Sequence, residues 1–138
     1  MEAASAPWSE PGLPRRRIEG LPVPWITPVW WGAADWKCVD TDRLRRCQAE
    51  WLCQVCGDPL PERAWVIVEA GDWVLGDAAL HETCLRIARR WCPHLDGLGC
   101  PRVEVDRAGI LAGGRRLSEI TEYGDEELRW TLDPHRGE

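Results

Sequence analysis

The sequence predicts a small α+β domain built around a metal-binding turn, and three observations predict it. Cys53 and Cys56 form a Cys-x2-Cys pair, and His81 and Cys84 follow as a His-x2-Cys pair. Between the pairs lie two β-prone segments, Trp65–Glu69 and Trp73–Leu75, separated by Ala70, Gly71 and Asp72, a strand-turn-strand signal. Beyond them Leu80, Cys84, Ile87, Ala88 and Trp91 recur on one face of a helix, with Glu82 and Arg86 pairing on another. The expected order is knuckle, hairpin, helix.

The elements follow along the chain. Residues 1–20, with Pro7, Pro11, Gly12, Pro14 and the run Arg15 to Arg17, carry little that packs and are expected to be a disordered tail. From Leu21 to Trp31, prolines at 22, 24 and 28 exclude a helix and predict an extended arm. Thr41 or Asp42 offers an N-cap to a helix over 42–52, in which Leu44, Cys47 and Trp51 share a face. Gly57 permits the tight turn after Cys56, and Pro59 and Pro61 prevent a helix there. Those prolines also dispose of a thioredoxin-like role, which needs the first cysteine at a helix N-terminus. Asp77 is the expected cap of the second helix, and Pro93 ends it beyond Cys92. This zinc-binding domain is expected over 21–100. Residues 101–138 are read as an appendage: Val103–Asp106 and Ile110–Ala112 as a hairpin, Gly113-Gly114 as a turn, and Asp125–Leu132 as a final helix capped by Asp125.

Two tight pairs of thiolate and imidazole donors suit the tetrahedral shell of one Zn²⁺, so Cys53, Cys56, His81 and Cys84 are the expected ligands. With four protein ligands the shell has no place for a reactive water, which predicts a structural metal. On a helix, residues three apart lie on nearly the same side, so His81 and Cys84 can close on a metal already held by the knuckle. Twenty-four residues separate Cys56 from His81. Compared with a gap of about seventeen, that loop costs only about 0.3 kcal/mol more to close. Structural zinc contributes about 10–16 kcal/mol in apparent terms, comparable with the whole stability of a small domain.

Two ligands from a Cys-x2-Cys turn and two from a helix start resemble a treble-clef zinc module, and the order Cys, Cys, His, Cys is similar to the first half of a LIM domain. The second LIM half is missing, since no further Cys-x2-Cys follows Cys84. Over roughly residues 20–95 the chain also resembles a group of uncharacterised small zinc-binding proteins of bacteria and their phages. The shared elements are Gly20-Leu21-Pro22-Val23-Pro24-Trp25, Asp42-Arg43-Leu44, Leu52-Cys53 to Cys56-Gly57-Asp58-Pro59-Leu60, His81-x2-Cys84, and Cys92-Pro93 with Leu95. That resemblance implies a shared zinc-bearing fold and no activity.

Composition bounds the rest. A net charge of −6 over 138 residues opposes bulk attraction to nucleic acid. Local clusters remain: Arg43, Arg45 and Arg46; Arg86, Arg89 and Arg90; Arg115 and Arg116. An odd set of seven cysteines is a poor disulfide framework, and no apolar run suits a membrane span or a signal peptide, so a cytoplasmic setting without membrane contact is expected. Cys38, Cys47, Cys92 and Cys100 read as small core residues, with Cys92 and His94 the one pair that suggests a second metal. The chain has ten tryptophans, no phenylalanine and one tyrosine, so Trp36, Trp51, Trp65, Trp73 and Trp91 are expected to supply the aromatic core. Trp25, Trp30 and Trp31 sit in the proline-rich arm. They either latch onto the core or form an exposed patch that docks a protein or stacks bases.

Catalytic constellations are weak. Residues 57–80 contain no histidine for an HNH-type nuclease, His81-Glu82 lacks the second histidine of a zinc protease, and the deaminase signature is missing. The order of motifs also fails for a Rieske cluster. The expectation is an interaction module with an unknown protein partner. Nucleic-acid binding through Arg86, Arg89 and Arg90, with Trp30 and Trp31 stacking, is the alternative, and a metal-dependent enzyme is the third reading.

Overall fold

The computed structural model describes residues 23–35, 38–91, 101–124 and 126–135, the last two positions of the second helix by backbone alone. The disordered-tail expectation for 1–20, Trp36, the Cys92–His94 pair, Cys100 and Asp125 lie outside the described residues, as do the side chains of Arg90 and Trp91. The fold is mixed: helices α1 (Thr41–Glu50) and α2 (Glu82–Trp91), with antiparallel strands β1 (Val29–Trp30), β2 (Ala33–Ala34), β3 (Ala64–Glu69), β4 (Trp73–Val74), β5 (Arg102–Val105), β6 (Ile110–Ala112), β7 (Arg115–Arg116) and β8 (Trp130–Leu132). β1 and β2 form a separate two-stranded ribbon, and the others make one six-stranded sheet in the order β5-β3-β4-β8-β6-β7. Among the described residues no helix is long and apolar enough to cross a membrane.

α1 starts one residue before the expected cap positions. Asp40, in extended conformation, accepts from the Arg43 N–H at 3.1 Å, while Thr41 and Asp42 lie inside the first turn. The helix stops because Trp51 turns left-handed at φ 58°. A non-glycine residue there carries strain. The strain is offset by the buried indole, which stacks on Trp130 at 6.3 Å and donates from Nε1 to the Pro61 carbonyl at 2.7 Å. Leu44 and Cys47 on the inner face of α1 pack with Ile26, Leu52 and Ala78.

The expected central hairpin forms, with Val68 opposite Val74 and Glu69 opposite Trp73. The second helix begins later than expected. Residues Ala78 to Leu80 run extended, and Leu80 exchanges backbone hydrogen bonds with Trp65 at 2.8 and 2.9 Å, which delays α2 to Glu82. Asp77 therefore does not cap α2. It turns left-handed at φ 53°, and its carboxylate accepts from the Trp130 N–H at 2.9 Å and the Arg129 Nε at 3.2 Å.

The C-terminal expectations need the largest corrections. β5 pairs with β3 rather than with β6, so the hairpin expected over 103–112 does not form. Gly113-Gly114 does turn the chain, joining β6 to β7. No helix occupies the described part of 125–132, where Trp130–Leu132 is a strand inserted between β4 and β6. Gln48 is the physical reason. This buried amide on α1 donates to Leu128 O at 2.7 Å and Asp77 O at 2.9 Å and accepts from Leu128 N at 3.0 Å, holding the chain extended just before β8. The C-terminal segment is thus continuous with the sheet rather than appended to it. Its strands bury Val105, Ile110, Ala112, Trp130 and Leu132 in the same apolar cluster as β3 and α2. The core aromatics differ accordingly. Trp130 is fully buried, Trp51 is buried, Trp65 is half-buried, and Trp73 lies on the outer face of β4.

Replacing Gln48 by Ala takes the amide partner from three partly buried backbone groups, Asp77 O, Leu128 O and Leu128 N. The expected loss is about 2–4 kcal/mol, with faster hydrogen exchange at the Leu128 amide. Chemical denaturation combined with exchange at that amide checks it, and unchanged exchange would contradict the clamp.

Candidate metal centre

The first two ligands lie on a tight ribbon. The Leu60 N–H donates to Trp51 O, and Leu52 bridges Pro59. The Cys53 N–H donates to Asp58 O and the Gly57 N–H to Cys53 O, at 2.9 and 2.8 Å. This curls the chain so that backbone N–H groups point at sulfur: Val55 N lies 3.4 Å from Cys53 Sγ and Asp58 N 3.4 Å from Cys56 Sγ. Donors aimed at sulfur stabilise thiolate ligands. Gly57 is required twice over. Its φ is +80°, and a Cβ there would lie 2.8 Å from the Trp25 ring.

The other pair arrives on the strand that delays α2. The Gln54 N–H, inside the knuckle, donates to Ala79 O at 3.0 Å, so the knuckle and the approach to His81 are cross-linked by backbone. His81 caps α2, its carbonyl accepting from Leu85 N at 2.9 Å, and Cys84 follows in the first turn. His81 Nε2 lies 3.0 Å from the Pro59 carbonyl, which only accepts, so Nε2 carries the proton and Nδ1 presents its lone pair. Nδ1 lies 3.4 Å from Cys56 Sγ and 3.9 Å from Cys84 Sγ.

The ligand atoms of Cys53, Cys56, His81 and Cys84 all lie within 4.8 Å of one another. A tetrahedron with metal–sulfur bonds of about 2.3 Å and metal–nitrogen bonds of about 2.0 Å has edges of about 3.5–3.8 Å, and the group, within 4.8 Å, needs only small side-chain adjustments to close on an ion. The three cysteines are buried and His81 is half-buried. The set fits a metal ion, and all four corners are protein atoms.

Electrostatics point the same way. Burial pushes the Cys53 thiol up, but hydrogen bonds from the Cys56 and Cys84 side chains and from backbone outweigh it and bring Cys53 down to about 3. Cys84 moves the opposite way, its proton held by hydrogen bonding to Cys53 and Cys56 and by burial. The Cys56 hydrogen bond raises His81 against the opposing effect of burial. Negative charge and protons are thus shared within one cluster, the condition a divalent cation relieves by replacing protons. Cys47 packs alongside, its Sγ 3.8 Å from the Cys53 carbonyl, and burial foremost keeps it a thiol. Cys38, read as a core residue, is exposed instead.

The arm covers this centre. The Trp25 N–H donates to Val55 O at 2.9 Å and the Ile26 N–H to Gln54 O at 3.2 Å, while Val23 is fully buried. The guanidinium groups of Arg43 and Arg46 lie over the Trp25 ring at 5.0 and 5.5 Å, and Arg43 also donates to Trp25 O at 2.9 Å. Trp25 is therefore a half-buried part of the centre. Trp30 and Trp31 are not: they are 61% and 102% exposed. Arg86 is exposed and Arg89 half-buried on α2, and among the described residues no contact joins either to Trp30 or Trp31. The pairing by Gln54 and the Pro59 carbonyl contact were not read from the sequence, whereas the Trp25 cover is the latch alternative realised for that tryptophan alone. Gly57 was the one local signal of a close approach.

With Cys84 replaced by Ser the centre loses a corner, so metal content should fall and the hairpin and α2 should unfold, whereas Cys38→Ser should stay within about 1–2 kcal/mol of the parent. Equal melting of Cys84→Ser and parent in metal-loaded buffer would contradict this. Metal uptake at pH 7 should also release protons, because Cys84 holds one that coordination must remove, and affinity should fall as pH drops. Calorimetry in buffers of different ionisation enthalpy measures that release, and a buffer-independent heat would count against it.

No protein-family model, no curated protein and no solved structure matches this chain.

Proposed function

We propose that the chain is a structural-zinc interaction module: Cys53, Cys56, His81 and Cys84 hold one Zn²⁺ in a treble-clef-like arrangement, and the surface it braces docks a protein partner. Three thiolates and one imidazole at tetrahedral spacing are the donors that Zn²⁺ prefers among common cellular metals. Four protein ligands fill the tetrahedron, so the ion stabilises the fold and activates no water. The observation that carries the reading is the contrast within one arm. Trp25 is spent on the knuckle, while Trp30 and Trp31, two and three residues beyond the bond at Pro28 that closes the ribbon's base, stand in solvent. Exposed tryptophans on a braced support are the usual anchors of protein interfaces. A cytoplasmic protein of the bacterial and phage kind that the sequence resembles is the setting proposed for it.

Nucleic-acid binding is the second reading, favoured by exposed Arg86 on the metal-anchored helix. Against it, the other arginine clusters are engaged internally. Arg43 and Arg46 lie over Trp25, Arg45 pairs with Asp42, and Arg116 pairs with Asp133 and Glu119.

Native mass spectrometry with elemental analysis is the deciding measurement for the metal: one zinc per chain is expected, and iron or two metals would overturn the structural assignment. For the surface, binding of a labelled single-stranded DNA that falls steeply with salt and is lost in Arg86→Ala would replace the protein-docking reading with the nucleic-acid one.

A further inference from the structure

The Trp30–Trp31 ribbon is built in a way that its own chain does not explain. Trp31 sits at φ +55° and Gly32 at φ +80°, the left-handed pair of a tight two-residue turn between β1 and β2. Asn, Asp or Gly is the ordinary occupant of the first position, and a bulky aromatic there is strained. Strain of this kind is usually offset by packing, as at Trp51. Trp31 has none: its side chain is wholly exposed, and among the described residues neither it nor Trp30 makes a ring contact. The base of the ribbon is nevertheless fixed. The Asp35 N–H donates to Pro28 O at 2.9 Å, Val29 and Ala34 pack against the main core, and the Asp40 N–H returns to Ile26 O at 2.7 Å. Two indole faces are thus presented on a braced tip, Trp31 at a position that disfavours it.

What the faces would take follows from how this chain uses its other tryptophans. Trp25, Trp51, Trp65 and Trp73 each carry at least one arginine guanidinium over the ring, at 4.5 to 5.5 Å. Trp30 and Trp31 have open faces, residues 23–34 contain no ionisable side chain, Asp35 and Lys37 balance one another in charge just beyond them, and the whole chain is at −6. An open aromatic face attracts a cation through its quadrupole, and a chain of net negative charge adds to that attraction. The same net charge opposes a nucleic-acid backbone, and the tip itself carries no cation to hold phosphate.

Resting on the interaction-module reading above, we propose that the Trp30–Trp31 tip docks a cationic segment of a partner protein, with Arg or Lys side chains stacking on the two indoles. The turn fixes the backbone from which both rings project, so little backbone order is lost on binding.

The test uses the full, zinc-loaded chain and a displayed library of random twelve-residue peptides, selected on the parent and counter-selected on Trp31→Gly. Glycine relieves the positive φ, so this variant should be at least as stable as the parent, and lost binding cannot be blamed on unfolding. The expected result is enrichment of Arg- and Lys-bearing peptides whose affinity falls about ten-fold or more in Trp31→Gly, and again when Arg is replaced by neutral citrulline. Enrichment of uncharged or acidic peptides that still need Trp31 would overturn the cationic partner and leave the interaction module standing. The same division would follow if the only Trp31-dependent binding were to phosphatidylcholine vesicles or to a second copy of the chain in sedimentation. No Trp31-dependent peptide, together with salt-steep DNA binding through Arg86, would overturn both.

Discussion

The backbone of Gln54 is bonded from two sides, and the rest of the structure is positioned from it. Its N–H reaches Ala79 on the approach to His81, and its carbonyl takes the Ile26 N–H from the arm. A metal ion spanning Cys53, Cys56, His81 and Cys84 would cross-link the same two segments a second time through side chains. Hydrogen bonds of this sort contribute about 1 kcal/mol each, so the backbone sets register while a bound ion would supply the bulk of the holding force. Gln54 also reaches back with its side chain, donating to Ala78 O at 2.7 Å, which leaves the carboxamide packed against Gly76. A shift of the knuckle by one residue would break every one of these links together.

The second theme is the use of charge in an acidic chain. Five of its arginines cover tryptophan rings: Arg43 and Arg46 on Trp25, Arg102 on Trp65, Arg107 on Trp51, Arg129 on Trp73. Each indole shelters on one side against protein and is capped by a guanidinium whose charge stays in water. With so little phenylalanine and tyrosine, this is how large aromatic surfaces remain compatible with a small domain. Of the basic clusters that look like phosphate contacts in the linear sequence, the first is part of this packing, through Arg43 and Arg46.

The clustering of Cys53, Cys56, His81 and Cys84 was legible because its chemistry is local. Two residues between ligands, a glycine to turn and a helix start are all written within short windows, and ligand geometry tolerates little else. The central hairpin and both helices were legible for the same reason. Failures cluster where a distant residue decides. Glu126 to Leu132 looks helical on its own, yet the Gln48 amide and the Asp77 carboxylate, 80 and 53 residues away from their partners, hold it extended. Asp77 looks like a helix cap because aspartate before an apolar run usually is one; pairing of Leu80 with Trp65 moves the helix beyond its reach. The arm divided into a latch at Trp25 and an exposed tip at Trp30 and Trp31, a distinction that proline spacing does not encode.

The position of β8 has a consequence for the order in which the molecule is made. It is the last described strand in the chain but lies in the interior of the sheet, between β4 and β6. Until it emerges, the sheet is two fragments, β5-β3-β4 and β6-β7, with facing edges unpaired. The four ligands are complete by residue 84, more than forty residues earlier. At a synthesis rate of about 5–20 residues per second, the knuckle has seconds in which to capture an ion before the sheet closes. Metal loading would then precede completion of the core, and a chain starved of the ion during that interval would expose two open strand edges, the surfaces through which nascent proteins aggregate.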